Sequence, residues 1–321
     1  MSEYVMVGIA GLSFAVTILL SALLERALRK RGLMVPDAHK PNSPMVPRPG
    51  GPAIMIGLLM ALLFVHSSVA IAYVMSTFVA FLIGLADDLK KFGGPEKPLL
   101  ALLAALPVIL LHAYLPSPHL PFVGKVTIKI LYPFLILIGY PIYTNATNMI
   151  DVFNGVVSGT TAISVIPIII YDYLKGNYQA LAVGLAFEAS VAAFFMFHNY
   201  PSRIFPGDSG SMLMGAGIVG LMIISHAEVI GIVATLPLIF NGFFILSSIK
   251  GFKEHSQLVR PLIVLDDFRM IANKDPRAPV TIARLLASRE ALNEKQLISA
   301  FLVLATISMA LSLITMLVFY I

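Results

Sequence analysis

Two adjacent carboxylates close a hydrophobic stretch of this sequence. Asp87 and Asp88 stand in the run Gly84-Leu-Ala-Asp-Asp-Leu-Lys-Lys91. Neighbouring side chains on a helix point about 100° apart, so the two carboxylates cannot both reach one atom. We expect one to face a reactive site and the other to hold a cation. A simpler alternative stays open, in which the pair is a solvated helix end neutralised by Lys90 or Lys91.

Amide and carboxylate side chains recur at intervals of three residues further along. Asn145, Asn148, Asp151 and Asn154 occupy positions i, i+3, i+6 and i+9, which form one face of a helix or helical turn. Such a stripe suits a hard cation and a polar ligand. The alternative is a set of N-caps for the next helix, which fits Asn154 but not all four groups. We therefore interpret the stripe as functional.

A further carboxylate follows a turn. The run Phe205-Pro-Gly-Asp-Ser-Gly-Ser211 predicts a turn that presents Asp208. Ser209 and Ser211 are able to cap the helix that follows, and its first amides would suit a phosphate.

The elements that must position these groups are membrane helices. Of the 321 residues, 58% are hydrophobic and 12% are charged, whereas soluble domains have roughly 25% charged residues. We expect one all-α polytopic membrane domain over 1–321. The absence of cysteine from the sequence excludes disulfides, thiolate metal sites and a cysteine nucleophile. The net charge of +5 is typical of basic loops beside lipid, so we expect the bilayer, and no nucleic acid, as a partner.

Ten segments approach the roughly 20 apolar residues that a spanning helix needs. They lie at about 4–24, 52–67, 69–86, 99–115, 127–145, 156–171, 179–197, 210–225, 228–249 and 297–321. We predict ten transmembrane helices with both termini outside. The loops at about 25–51, 87–98, 146–155, 198–209 and 250–296 are then cytoplasmic. They hold 19 of the 22 Lys and Arg residues, as the positive-inside rule requires, and also all four motif aspartates.

Three smaller features complete the outline. The stretch 116–129 predicts a short hairpin, and 281–288 within the large loop 250–296 predicts a short helix at the inner surface. Glu188 falls in the middle of the seventh span, where a carboxyl group is costly. We interpret it as a neutral or hydrogen-bonded group with a structural role.

The blocks GLADDLKK, NATNMIDVFNG and HNYPSRIFPGDSGS occur in this order in the sequence. They resemble the signature blocks of the polyprenyl-phosphate N-acetylhexosamine-1-phosphate transferase superfamily, and the resemblance extends from about Asp37 to Arg284. The runs Asp37-Ala-His-Lys40 and Pro47-Arg-Pro-Gly-Gly51 resemble the superfamily's first cytoplasmic loop. The resemblance implies a fold of ten helices with its active site on the cytoplasmic face of the cell membrane. It also implies homodimers.

The implied reaction transfers N-acetylglucosamine-1-phosphate from UDP-N-acetylglucosamine to a polyprenyl or dolichyl phosphate and releases UMP. The cell-wall branch, which transfers phospho-N-acetylmuramoyl-pentapeptide, carries a histidine triplet in its last cytoplasmic loop. This sequence has only His255 there. Its run Lys274-Asp-Pro-Arg-Ala-Pro-Val-Thr-Ile-Ala-Arg-Leu285 instead resembles archaeal members that use a dolichyl-type phosphate. The cell-wall activity is kept as the alternative.

The resemblance also implies roles for single residues. Asn148 and Asp208 would bind Mg²⁺, for which Mn²⁺ could substitute. The catalytic carboxylates would be Asp87, Asp88 and Asp151. Asp87 would orient the acceptor phosphate or accept a proton, and Asp88 would hold Lys97 or the water shell of the metal, although these two roles could be exchanged. Phe205 would stack on uracil and Asn154 would read its edge. The substrate-binding residues are expected to be Lys40, Lys97, Asn154, Asn199, Phe205, Arg277 and Arg284.

Two other classes of protein fit less well. A cation-coupled transporter would bind its ligands near the middle of the membrane, where only Glu188 lies. The CDP-alcohol phosphotransferases use the pattern DxxDG, and here Asp151 is followed by Asn154 and Gly155.

Overall fold

Long apolar runs without charge make this chain mostly helical. The computed structural model describes residues 3–249, 251 and 258–321. The helices are α1 (Glu3–Lys30), α2 (Gly51–Leu59), α3 (Ser68–Leu89), α4 (Glu96–Ala101), α5 (Leu106–Leu110), α6 (Leu131–Ile150), α7 (Val156–Lys175), α8 (Tyr178–His198), α9 (Gly207–Ile224), α10 (Glu228–Ala234), α11 (Leu236–Ile249), α12 (Ile282–Leu286) and α13 (Glu294–Phe319). Single 3-10 turns follow α2 at Met60–Leu63 and α4 at Leu102–Ala105.

Three short antiparallel hairpins lie between the helices. They pair β1 (Met34–Pro36) with β2 (Met45–Pro47), β3 (His119–Leu120) with β4 (Gly124–Lys125), and β5 (Leu262–Val264) with β6 (Met270–Ala272). The second confirms the hairpin predicted within 116–129. Helix α12 confirms the short helix predicted within 281–288. The predicted loop 250–296 is described except at positions 250 and 252–257, so His255 lies outside the described residues.

Helix α9 is the centre of the bundle. All of its residues except Asp208 are buried, and α3 and α6 pack closely along it. Small residues allow this approach, because helices in a membrane associate through close packing rather than through a hydrophobic driving force. A β-carbon at Gly84 of α3 would lie only 2.3 Å from the carbonyl oxygen of Asp208. The contact between α3 and α9 therefore requires glycine at this position.

Contacts between helix ends define two opposite faces of the bundle. On one face, the Asp88 carboxylate at the end of α3 accepts a hydrogen bond from the amide of Asp208 at the start of α9 (2.9 Å). On the other, Asp172 near the end of α7 accepts one from Ser225 Oγ, just beyond the end of α9 (2.7 Å). Helix α9 thus runs from the first face to the second. We call the first the site face, which is formed by the helix ends at Asp88, Asn148, Asp208 and Glu294.

All ten predicted spans coincide with helical structure, but their lengths differ. Within the described residues, six helices are long and apolar enough to cross a bilayer, namely α1, α3, α7, α8, α9 and α13. Helices α10 and α11 would be a seventh span with a bend of 71° between them. The span predicted at 52–67 is a short apolar helix, Gly51–Leu63. The span predicted at 99–115 is broken into α4, a 3-10 turn and α5. The count of ten remains a prediction.

The predicted stripe of polar side chains is wrong beyond Asn148. Helix α6 ends at Ile150, and Asp151 has a ψ of 63°, which is not helical. The side chain of Asn145 donates to the Pro141 carbonyl of its own helix (2.7 Å). Asp151 and Asn154 therefore lie in the turn before α7 and do not share one helix face with Asn145 and Asn148.

The close approach of α3 and α9 generates a prediction about stability. We expect Gly84→Ala to reduce the free energy of unfolding by about 1–3 kcal/mol, the usual cost of overpacking a tight core. Thermal unfolding of the purified protein in detergent measures this. The matched control is Gly8→Ala in α1, where an added β-carbon would meet no atom within 4 Å. Equal melting temperatures for the two variants would contradict the contact.

Candidate active site

The N-terminus of α9 is held by a carboxylate from another helix. Asp88 accepts hydrogen bonds from the amides of Asp208 (2.9 Å) and Ser209 (3.0 Å). Its side chain is only 3% exposed and also pairs with Arg48 Nη2 (2.8 Å). Negative charge is stabilising at this position, because the first amides of a helix lack partners within the helix. Gly207, with a φ of +72°, makes room for it, since a β-carbon there would lie 2.7 Å from Asp88 Oδ2.

This arrangement corrects two expectations about the turn before α9. Ser209 and Ser211 do not cap the helix, since their hydroxyls lie near the carbonyls of Pro206 (3.5 Å) and Asp208 (3.4 Å). The first amides are already occupied by Asp88, so they do not form a free site for phosphate. A carboxylate fills the place that the sequence suggested for a phosphate.

Asp208 is the point at which the other charged groups meet. It pairs with Arg48 Nη2 (2.9 Å) and Lys97 Nζ (3.0 Å), and it accepts a hydrogen bond from Asn148 Nδ2. Lys97 also pairs with Asp87 (2.9 Å), so Asp87, and not Asp88, holds this lysine. Arg48 of the first-loop run, Asn148 of the second block and Lys97 thus meet at the carboxylate of the third block.

The charges in this acidic cluster do not balance. The carboxylates of Asp87, Asp88 and Asp208 face only two cations among the described residues, Arg48 and Lys97. One negative charge is therefore left over in a partly buried region, where unpaired charge is costly.

The oxygen atoms of the cluster suit a divalent cation. Asn148 donates its amide nitrogen to Asp208 and to Ser211 Oγ (2.9 Å), and its oxygen accepts no hydrogen bond from the part of the chain that the structure describes. Carboxylate and amide oxygens are ligands that Mg²⁺ prefers. The chemistry of the donor set and the residual charge both fit this ion.

Asp151 lies beside the acidic cluster and contacts a buried histidine. Burial raises the pKa of the Asp151 carboxyl to about 8, and the negative charges of Asp208 and Asp88 add to the effect. His198 Nε2 lies 3.8 Å from Asp151 Oδ1, and His198 Nδ1 shares a hydrogen bond with Ser158 Oγ (2.9 Å). A carboxyl with a pKa near 8 can exchange a proton at neutral pH.

A second cluster surrounds Asn154, which is only 2% exposed. Its amide nitrogen donates to Asp37 (3.1 Å) and Glu294 (2.7 Å). Its oxygen accepts from Lys40 Nζ (2.7 Å) and from the Ser202 amide (2.6 Å). We call these five residues the Asn154 cluster. Since every polar atom of the Asn154 side chain is engaged, the structure leaves none free to read a base edge.

The Asn154 cluster is a poor metal site despite its ligand types. Asp37 and Glu294 of this cluster, with His39 beside them, bring one ligand atom each within 4.8 Å of one another. However, the ammonium of Lys40 already pairs with Asp37 and lies 3.8 Å from Glu294. The Asn154 oxygen, unlike that of Asn148, already accepts two hydrogen bonds, so the cluster is better described as a network of ion pairs and hydrogen bonds.

The remaining predicted substrate residues lie in different surroundings. Phe205 is half-buried, with its ring edge-on to His198 at 6.2 Å, and Asn199 is exposed. The side chain of Arg277 is 79% exposed and pairs with Asp275 (2.8 Å). Arg284 donates to backbone carbonyls, including that of Asn273 (2.9 Å). None of the contacts in the described ranges links either arginine to the acidic cluster.

Sequence reasoning missed several members of these clusters. Arg48 stands in the Pro-Arg-Pro-Gly-Gly run, and its position among prolines just before a helix was a usable signal. His198 is the first residue of the block HNYPSRIFPGDSGS and directly precedes Asn199. Glu294 gave no signal, because an acidic residue in the first turn of a helix is ordinary.

Comparison with known proteins agrees with this geometry. The family model described as glycosyl transferase family 4 matches residues 70–226, which carry Asp87, Asp88, Asn148 and Asp208. Over these residues, the chain is similar to glycosyl transferase family 4.

Similar proteins of known name come from archaea and bacteria. This chain is 29% identical over 66% of its length to the proposed UDP-N-acetylglucosamine–dolichyl-phosphate N-acetylglucosaminephosphotransferase of Saccharolobus solfataricus, of which 70% is covered. It is 27% identical over 78% of its length to the phospho-N-acetylmuramoyl-pentapeptide-transferase of Anoxybacillus flavithermus, of which 82% is covered. It is 25% identical over 72% of its length to the proposed undecaprenyl-phosphate N-acetylglucosaminyl 1-phosphate transferase of Bacillus subtilis, of which 66% is covered.

The cap on α9 generates a prediction about stability. We expect Asp88→Ala to reduce the free energy of unfolding by about 2 kcal/mol, because loss of a capping side chain costs roughly 0.5–2 kcal/mol and Arg48 also loses a partner. Ser209→Ala is the control and is expected to leave the melting temperature unchanged. If Ser209→Ala destabilised the protein more than Asp88→Ala did, the cap would have been assigned to the wrong side chain.

Proposed function

We propose that the chain transfers N-acetylglucosamine-1-phosphate from UDP-N-acetylglucosamine to a polyprenyl phosphate of the dolichyl type and releases UMP. The observation that carries this proposal is the acidic cluster, in which Asp87, Asp88 and Asp208 meet Arg48 and Lys97 at one end of the bundle. A cluster with both signs of charge at a helix bundle's end suits a reaction between two phosphates. The names of the archaeal relatives support the choice of substrates.

The reaction is governed by charge. An oxygen of the lipid phosphate attacks the β-phosphorus of the nucleotide sugar, the bond from that phosphorus to the bridging oxygen breaks, and the bridging oxygen leaves with UMP. A phosphate monoester has its second pKa near 6, so the nucleophile is already mostly ionised at pH 7. Phosphoryl transfer depends chiefly on positioning and on electrostatic stabilisation. Neutralising two anions matters more here than removing a proton.

The chain's own residues divide this work. Lys97 lies between Asp87 and Asp208, where its ammonium can exchange a carboxylate for a phosphate oxygen. Arg48 keeps its Nε atom buried and without a partner in the described part of the chain, which leaves one donor of the guanidinium unused. Asp151 lies beside the cluster, and in its ionised form its carboxylate, with a raised pKa, can accept the proton of an acceptor phosphate that arrives as the monoanion.

We assign the metal site to Asp208 and Asn148. Asp208 offers carboxylate oxygens and Asn148 offers an amide oxygen that accepts no bond from the described residues. Mg²⁺ bound there would neutralise charge on the diphosphate of the nucleotide sugar. Lys97 and Arg48 would then share Asp208 with the ion.

The muramyl-pentapeptide substrate is the second candidate. It is favoured by the extent of the match to the Anoxybacillus flavithermus enzyme, which covers 78% of this chain. The sequence lacks the histidine triplet that the resemblance associates with that substrate. We therefore rank it below N-acetylglucosamine.

We further propose that the site face is cytoplasmic and that the protein lies in the cell membrane. Arg48 and Glu294 of the site face belong to the predicted loops 25–51 and 250–296, which hold six and nine of the 22 Lys and Arg residues, and cationic loops stay in the cytoplasm. Nucleotide sugars would reach the site from that side. A transporter is disfavoured because the ionisable clusters lie at helix ends. Glu188 lies within α8, and its buried Oε2 atom contacts no donor among the described residues.

The proposed activity is tested by assaying UMP release. We expect purified protein to release UMP from UDP-N-acetylglucosamine only when a polyprenyl phosphate and Mg²⁺ or Mn²⁺ are present, and chelation should abolish release. UDP-N-acetylmuramoyl-pentapeptide is tested in parallel. Asp208→Asn is the control, with a loss of at least about 100-fold in kcat, as for loss of a key electrostatic group. Release from the pentapeptide substrate alone would select the second candidate, and vesicle uptake without UMP would indicate a transporter.

Phe205 allows nucleotide binding to be separated from catalysis. Stacking of a base on an aromatic ring is worth about 1–3 kcal/mol, so Phe205→Leu should raise the KM for UDP-N-acetylglucosamine roughly 5- to 150-fold. We expect kcat and the KM for the lipid phosphate to change much less, since the ring binds the ground state and transition state alike. Phe195→Leu on the neighbouring α8 is a comparison for loss of an aromatic ring. An unchanged nucleotide KM in folded Phe205→Leu protein would assign Phe205 to packing alone.

A further inference from the structure

Glu294 stands apart from every block that identifies this protein. It is the first residue of α13, outside the region matched by the family model and outside the three motif blocks. It is nevertheless only 5% exposed. A carboxylate buried to this degree at a helix end requires partners, because unpaired buried charge is costly.

The helix itself does not need this carboxylate. Helix α13 begins with a complete capping box, in which Asn293 accepts from the Gln296 amide (2.9 Å) and Gln296 accepts from the Asn293 amide (2.9 Å). Glu294 points into the Asn154 cluster instead. Its Oε1 atom accepts from Asn154 Nδ2 (2.7 Å) and from the Asn154 backbone amide (3.3 Å).

These bonds determine which way the Asn154 amide points. With two carboxylates, Asp37 and Glu294, around its nitrogen, the amide must direct its oxygen to the other side. There the oxygen accepts from Lys40 Nζ (2.7 Å) and from the Ser202 backbone amide (2.6 Å). If the amide were reversed, its oxygen would face two carboxylates and its nitrogen would face an ammonium.

Ser202 begins the turn that leads to Phe205. The Phe205 amide donates to the Pro47 carbonyl (2.9 Å), and the Gly50 amide donates to the Phe205 carbonyl (2.8 Å). The ends of this turn are thus fixed by Asn154 on one side and by the first loop on the other.

We infer that Glu294 is a positioning residue for the nucleotide end of the site: through Asn154 it fixes the ammonium of Lys40 and the turn from Ser202 to Phe205. The inference rests on the proposed function, in which Phe205 and Lys40 contact the nucleotide sugar. It revises the role of Asn154, which holds neighbouring groups in place and has no free atom for the base. The last helix thereby completes a subsite that the motif blocks alone do not form.

The test measures equilibrium binding of UDP-N-acetylglucosamine by calorimetry in detergent, together with UMP release. We expect Glu294→Ala to weaken nucleotide-sugar binding about tenfold, equivalent to about 1.4 kcal/mol, while the KM for polyprenyl phosphate stays unchanged. Glu294→Gln keeps an oxygen that accepts from Asn154 and is expected to restore most of the affinity. Glu290→Ala, which removes an exposed carboxylate four residues earlier, is the control.

A double-mutant cycle separates positioning from a general structural effect. If Glu294 acts through Asn154, adding Glu294→Ala to Asn154→Ala should weaken binding no further. Additive losses, or an affinity within twofold of the wild type in the single variant, would overturn the inference. If Glu294→Ala yields no folded protein, Glu294→Asp withdraws the carboxylate by one methylene, keeps its charge, and should show the same selective loss.

The two proposals can fail separately in this experiment. Wild-type protein that turns over while Glu294→Ala binds normally leaves the transferase function standing and removes the role of Glu294. Wild-type protein that binds UDP-N-acetylglucosamine without releasing UMP, with binding that still depends on Glu294, would overturn the reaction alone. Absence of nucleotide-sugar binding in the wild type would overturn both.

Discussion

The bonds from Asp88 to the first amides of α9 are the interaction on which the site depends. They place a carboxylate of α3 beside the positive end of the α9 dipole. Because one of the bonded amides is that of Asp208, they also set the position of the Asp208 side chain. Two glycines make this possible, since side chains at Gly84 or Gly207 would collide with the Asp208 backbone or with Asp88. The contact between α3 and α9 therefore fixes both the packing of these helices and the geometry of the acidic cluster.

The same contact explains how so many charges persist at the end of an apolar bundle. Asp88 is satisfied by amides and by Arg48, and Asp87 by Lys97 and the Phe92 amide (2.7 Å). Asp208 shares both cations and still leaves the cluster with an excess of negative charge. Paired groups are tolerated when buried, whereas the excess provides a reason to bind a cation. Asp87 and Asp88 are thus stabilised by partners within the protein, whereas Asp208 is the carboxylate that is suited to bind a metal ion.

Much of this could be predicted from the sequence, because the relevant signals are local. Hydrophobic length gave the helix positions, and the distribution of Lys and Arg placed the motif loops on one side. The structure brings Asp87, Asp88, Asn148 and Asp208 together at one end of the bundle, as expected for loops on the same side. The local signal failed where the chain leaves a helix, because the helical spacing of Asn148, Asp151 and Asn154 continues past the point at which α6 ends.

Contacts between distant segments were beyond prediction from one sequence. No local pattern distinguishes Asp88 from Ser209 as the cap of α9, because serine next to a helix start is the commoner solution. Nor does one indicate that Glu294 meets Asn154, 140 residues earlier. These pairings follow from how the helices pack, and packing is decided by the whole bundle.

The two clusters differ in how much of the chain they draw on, and this bears on specificity. The acidic cluster comes mostly from within 70–226, the region that the family model matches, with Arg48 as its contribution from the first loop. The Asn154 cluster takes Asp37 and Lys40 from that loop and Glu294 from the last helix. Only two residues separate Asp151 from Asn154, so the clusters are held at a fixed spacing by the turn between α6 and α7. Groups that handle phosphate are needed for any nucleotide sugar, whereas recognition of a particular donor can vary. The Asn154 cluster depends on segments from both ends of the chain and is joined to the acidic cluster only by this short turn. Substitutions in the Asn154 cluster can therefore change donor recognition without disturbing the acidic cluster.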